Sequence, residues 1–213
     1  LRDFSRAPSE KTLVLVATSC DPGGAVAAGF HGSPGIEVVI LYPKDKVSKV
    51  QELQLTTLGG NVTTLELHGT FDDCQALAKL ALADAHLQSQ VNLTSANSIN
   101  VARWLPQQFY YFYALKQWEG APPVISVPSG NFGNLASGIL AHISGLPVKQ
   151  FIAACNANDV VPRFLQTADY QPRPSVATLS NAMDVGAPSN FVRILEIFDN
   201  DLLDLKAKLE AVS

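Results

Sequence analysis

Short β-rich apolar runs alternate with longer helical runs along this chain, and that alternation restricts the fold more than any other feature. TLVLVA (12–17), IEVVILY (36–42), VTTLEL (62–67) and the runs at 124–127 and 148–154 read as strands. Segments 47–58, 71–87, 98–118 and 135–143, with a last amphipathic stretch at 201–211, read as helices. Gly59-Gly60, Pro122-Pro123 and Gly145 punctuate them. Strands that are apolar along their whole length must be covered on both sides. The expected fold class is therefore α/β, with parallel sheets and helices on both faces. The polar stretch TSANSIN (94–100) marks the expected division. Residues 1–93 form an N-terminal segment and a small parallel α/β domain, and 94–213 form part of a larger one.

At 213 residues the chain is long enough for one large or two small domains. Fifteen Lys and Arg against nineteen Asp and Glu leave a net charge of -4, with no basic block. That balance argues against a nucleic-acid partner, but a small phosphorylated ligand needs only a few local donors. Cys20, Cys74 and Cys155 stand far apart with no CxxC pair, and His31, His68, His86 and His142 show no ligand spacing. No metal site and no disulfide scaffold are expected, and reduced thiols fit a cytoplasmic protein. No apolar run approaches the roughly 20 residues of a membrane span. The first ten residues carry Arg2, Asp3, Arg6 and Glu10 rather than a secretory signal. The aromatic run 109–113 reads as helix packing, and Asp72 with Asp73 as a solvated helix start.

Three polar loops carry chemistry. In PSGNFGN (128–134), two glycines let backbone approach a ligand, and the helix that follows aims its positive end at the same place. The segment reads as an anion cradle suited to phosphate, or as a glycine-rich turn with no ligand. It is neither a P-loop nor a GxGxxG loop. TSCDPGG (18–24) follows the first strand, and its hydroxyls and N–H groups suit a carboxylate or a helix cap. Asn97, Ser98 and Arg103 suit a second anion, or a cap beside a surface arginine.

The order of these loops, with VILYPKDKVSKVQELQLTTLGGNV (39–62), NSINVAR (97–103), VPSGNFGNLASGILA (127–141), LPVKQFIAACNANDVVPRFL (146–165) and TLSNAMDVGAPSN (178–190), resembles the threonine synthase family. These are pyridoxal 5'-phosphate (PLP) enzymes of the tryptophan-synthase-β fold, fold type II. The resemblance implies conversion of O-phospho-L-homoserine and water to L-threonine and phosphate. It assigns Gly130, Asn131, Phe132, Gly133 and Asn134, with Asp21, to the cofactor. It assigns Thr18, Ser19, Asn97, Ser98 and Arg103 to a small phosphorylated amino-acid substrate. The chain corresponds to the central part of the family chain, expected to be truncated at both ends. The family's Schiff-base lysine lies in a motif like FKDF, whereas LRDF (1–4) puts Arg2 there. A guanidinium stays protonated and forms no imine, so no catalytic residue is assigned. Cys20 and Pro22 also replace a Gly and a Thr of the family's first loop. A non-catalytic homologue retaining only a phosphate site is the alternative expectation.

Overall fold

The computed structural model describes residues 11–18, 21–97 and 100–213. The chain forms two compact units, Leu1–Asn100 and Val101–Ser213.

The first unit runs β1 (Thr12–Ala17), α1 (Asp21–Phe30), β2 (Ile36–Pro43), α2 (Lys49–Thr56), β3 (Val62–Leu67), α3 (Phe71–Ala83), α4 (Ala85–Gln90) and β4 (Asn92–Ser95). Its four strands are all parallel, in the order β3-β2-β1-β4. Alternation of side chains across a strand supplies both faces. Val14, Val16, Val38 and Ile40 pack with Ala27 of α1 and Leu55 of α2. Leu15, Ala17 and Leu41 pack on the other side with Cys74 and Ala78 of α3. The helices therefore cover both faces of this sheet, as the apolar strands require. Reciprocal capping boxes start α2, at Ser48 and Gln51, and α3, at Thr70 and Asp73. Asp73 accepts the Thr70 N–H and hydroxyl, which hold its carboxyl below the usual range.

Two local readings change here. The expected helix 71–87 is two helices: Asp84 turns extended and its carboxylate accepts the His86 and Leu87 N–H groups, capping α4. The polar stretch 94–100 begins inside β4, which pairs with β1 from Thr12↔Asn92 to Leu15↔Ser95. An edge strand is recruited by backbone pairing and needs no apolar run, so hydrophobic pattern did not mark it. The compact units accordingly part after Asn100.

The second unit opens with a 3₁₀ turn (Val101–Arg103) and continues α5 (Trp104–Gln107), α6 (Phe109–Lys116), β5 (Val124–Pro128), α7 (Gly133–Ile143), β6 (Gln150–Ala154), α8 (Val160–Thr167), a second 3₁₀ turn (Asn181–Met183), α9 (Phe191–Ile197), α10 (Leu202–Lys208) and β7 (Leu209–Val212). Its parallel sheet has the order β5-β6-β7. Leu135 and Ile139 of α7, Phe151 of β6, Phe191 and Ile194 of α9, Leu205 and Leu209 form one core. Pro106 has no N–H for residue 102, so the expected helix 98–118 restarts as α5 with the proline in its first turn. Of the aromatic run, Tyr111 alone is buried; Phe109, Tyr110, Phe112 and Tyr113 are exposed, so helix packing accounts for one ring of five. The end of the expected helix 201–211 is instead β7, drawn into parallel register with β6 at Phe151↔Leu209. Among the described residues no helix is long and apolar enough to cross a membrane, and no group of three metal-ligating side chains occurs.

Candidate cofactor site

The glycine-rich loop lies where a parallel sheet leaves room for a ligand, beyond the carboxyl end of β5. Ser129 leaves the strand still paired, its N–H donating to Ala154 O at 2.8 Å and its hydroxyl to Val127 O. Gly130 follows against the backbone of Met183: a Cβ on it would stand 2.7 Å from Met183 Cα and 2.9 Å from Met183 O. Only glycine admits that approach. Phe132 is left-handed, with φ 62° and ψ 10°, and its carbonyl accepts the Ala136 N–H that opens the α7 ladder. A left-handed residue leading into a helix turns successive N–H groups into one concavity, a nest for an anion. The N–H groups of Gly133, Asn134 and Leu135 precede the helical ladder and share that end of the dipole.

The side chains of this loop brace it from behind. Asn131 Oδ1 accepts the Ser189 N–H at 2.7 Å and its hydroxyl at 3.0 Å, and Asn190 Nδ2 donates to Asn131 O at 3.0 Å. Asn190 is fully buried, and its Oδ1 accepts from Arg193, whose guanidinium lies 5.6 Å from the Trp104 ring centroid. Tyr111 donates its hydroxyl to Asn134 O and Oδ1, both at 3.0 Å, and burial pushes its pKa far up, so it stays a donor. Phe132 is buried edge-on to Phe191, ring centroids 5.5 Å apart, which offsets the unfavourable φ of a bulky residue. With Asn131 and Asn134 so engaged, the loop offers a ligand chiefly backbone donors, and this donor set fits a phosphate dianion.

The loop after β1 belongs to the first unit. Thr18 is buried and continues the ladder through its N–H to Leu41 O at 2.9 Å. Its Oγ1 accepts the Gly23 N–H at 3.1 Å, and a Cβ on Gly23 would fall 2.3 Å from Thr18 Cγ2. Thr18 thus caps the first turn of α1, and Gly23 is glycine because the threonine occupies its side-chain space. Pro22 sits in that first turn, where a missing N–H is harmless to the helix. Asn97 spans the end of β1: Oδ1 accepts the Ala17 N–H at 2.7 Å and Nδ2 donates to Ala17 O at 2.6 Å. Asn100 Nδ2 donates to Ser95 O.

Arg103, in the second unit, is half-buried, and desolvation lowers its pKa while Tyr110 opposes that shift. Arginine starts so high that the guanidinium remains charged. Arg2, Ser19 and Ser98, together with the side chain of Asp21, lie outside the described residues. Sequence reasoning missed the brace, namely Tyr111, Met183, Ser189 and Asn190. The segments holding them were distinctive in the sequence, but nothing local pairs residue 131 with 189.

The sequence pattern of the pyridoxal-phosphate dependent enzymes matches residues 3–207. The threonine synthase of Haemophilus influenzae is 50% identical over 198 residues, covering 92% of this chain and 47% of that protein. The Escherichia coli threonine synthase is 50% identical over 203 residues, covering 94% and 47%. The crystal structure of the Escherichia coli enzyme superposes with a TM-score of 0.89, covering 95% of this chain and 48% of that one at 50% identity. A PLP-bound threonine synthase from Brucella melitensis gives 0.80 at 34% identity, covering 95% and 50%. The chain spans about half the length of the curated relatives it matches. The parallel sheets, the nest at 130–134 and a pattern matched over nearly the whole sequence agree: this chain belongs to the pyridoxal-phosphate dependent enzyme family.

Proposed function

We propose that the chain is part of a threonine-synthase-like lyase of the cytoplasm, acting on O-phospho-L-homoserine and water to give L-threonine and phosphate. The observation that carries this reading is the nest at Gly130–Asn134, left-handed at Phe132 and opening the 11-residue helix α7. Its similarity to proteins named threonine synthase supports the choice within the family. Bound there, PLP would supply an electron sink for carbanion chemistry on an amino acid. The backbone N–H groups of the loop would hold its phosphate. The Ser189, Asn190 and Tyr111 brace keeps those donors aimed, so that little ordering remains to be done on binding. Arg103 offers a fixed positive charge to the substrate phosphate. Thr18 and Asn97 hold the end of β1 and the start of α1, where the substrate carboxylate would meet Ser19 and the first N–H groups of α1.

A second reading is favoured by Arg2 at the lysine position and by Pro22, which withholds one N–H from the carboxylate loop. In it the chain binds phosphate-bearing ligands without turnover. Titration with PLP, followed by protein fluorescence, is expected to saturate and to be competed by inorganic phosphate. Gly130→Ala is expected to weaken binding about tenfold, because the new methyl displaces the loop from Met183. Unaltered affinity in that variant, or no competition by phosphate, removes the cradle from the reading. Turnover of O-phospho-L-homoserine by the full-length protein separates the enzyme from the binding protein.

A further inference from the structure

A dense polar network stands behind the phosphate loop, apart from the groups that would touch cofactor or substrate. Asp184 is its centre. One carboxylate oxygen, Oδ2, accepts the Thr178 N–H at 2.9 Å. The other, Oδ1, accepts the Thr178 hydroxyl at 2.7 Å, Asn156 Nδ2 at 2.8 Å and Asn158 Nδ2 at 3.2 Å. Four neutral donors thus converge on this one carboxylate, three of them on Oδ1. Asn156 Oδ1 accepts the Asn158 N–H, and Asn158 clamps Val176 by accepting its N–H at 2.7 Å and donating to its carbonyl at 2.9 Å. Asn156 and Asn158 leave directly from the end of β6, so the network ties the loop 176–184 to the sheet. The residue before Asp184 is Met183, whose backbone is the surface against which Gly130 packs. The 3₁₀ turn between them and Thr178 is closed by the Met183 N–H to Ser180 O and the Asp184 N–H to Asn181 O.

We propose that Asp184 is a positioning residue for the phosphate cradle: by gathering Thr178, Asn156 and Asn158 it holds the Met183 backbone in the place that shapes the Gly130–Asn134 nest. The proposal rests on the reading of that nest as the PLP phosphate site. Its sign is distinctive. Asp184 carries negative charge in the unit that binds the anion, so neutralising it would by Coulomb attraction alone tighten phosphate binding. A positioning role predicts the opposite, because an amide at 184 turns an NH₂ toward donors that need an acceptor.

The test compares Asp184→Asn and Thr178→Val with the unaltered full chain. The probes are PLP and inorganic phosphate by calorimetry, with amide hydrogen exchange and urea unfolding on the same samples. For Asp184→Asn, affinity for both probes is expected to fall about tenfold. Exchange should quicken at the 130–134 amides, with protection elsewhere retained. Thr178→Val, which removes one donor and keeps the shape, is expected to lose about threefold. A folded Asp184→Asn protein that binds both probes as tightly as the unaltered chain, or tighter, overturns the proposal. Should that variant fail to fold, an unaltered affinity in Thr178→Val overturns it instead. An unaltered chain that binds neither probe overturns the cradle reading and this proposal together; binding that is indifferent to Asp184 overturns this proposal alone.

Discussion

Single side chains in this protein do more to shape backbone than to present chemistry. Thr18, Asn97, Asn131 and Asn134 stand in the three polar loops, and each spends its polar atoms on main chain or on a neighbouring side chain. Among the described residues, the thiols of Cys74 and Cys155 follow the same inward habit. Burial pushes Cys74 up to about 11 and Cys155 up to about 12, with Asp73 and Asp159 adding to the two shifts respectively. A free thiol loses its proton near pH 8.5, so unfolded chain ionises first and folded chain holds the proton longer. The contribution is whole below the ordinary thiol value and is lost as pH rises toward the raised one. Urea midpoints are therefore expected to fall between about pH 9 and 11, and Cys74→Ala with Cys155→Ala should flatten that slope. An unchanged slope in the double variant would place the alkaline loss elsewhere, on the raised tyrosines Tyr42, Tyr111 and Tyr170.

At the scale of elements, the strand ends are pinned by side chains that imitate a neighbouring strand. Asn97 pairs both amide groups with the N–H and carbonyl of Ala17, where β4 has already ended. Asn61 does similar work on the other flank, donating to Phe30 O and Ile36 O and accepting the Gly32 N–H. Asn97→Ala is expected to destabilise the first unit by about 1–3 kcal/mol, since two partly buried backbone groups lose their partners. Urea unfolding followed by first-unit amides would read that loss. A change well under 1 kcal/mol would mean water replaces the amide, and the clamp would then be dispensable to the fold.

For the whole molecule, the property to test is covalent chemistry. Each unit is a parallel α/β sheet of the expected kind, and the chain matches about half the length of the threonine synthases it resembles. By the sequence resemblance alone, Arg2 is expected at the position of the family's lysine, while Lys11 beside β1 is exposed and paired with Glu37 at 3.3 Å. With equimolar PLP and borohydride, this chain is expected to yield no stoichiometric covalent adduct by intact mass. A single adduct mapped to Lys11 would overturn that expectation and return the chain to the catalytic reading.

The alternation of apolar strands with helices was sufficient to read α/β with both faces covered, because strands such as Val14–Val16 and Val38–Ile40 carry burial in their composition. The strand-to-helix loop at 128–134 was equally legible, because its glycines, asparagines and helix start are adjacent in sequence, and the proposed anion nest draws only on that local backbone. Tertiary structure alone decided the rest. β4 and β7 are strands because β1 and β6 offer backbone partners, not because their residues ask for it. Gly130 needs to be glycine because Met183, more than fifty positions onward, is folded against it. Asn97 became a clamp because Ala17 ends a strand beside it. Hydrophobic period is a property of neighbours in sequence, while hydrogen-bond pairing is settled between segments that only the fold brings together.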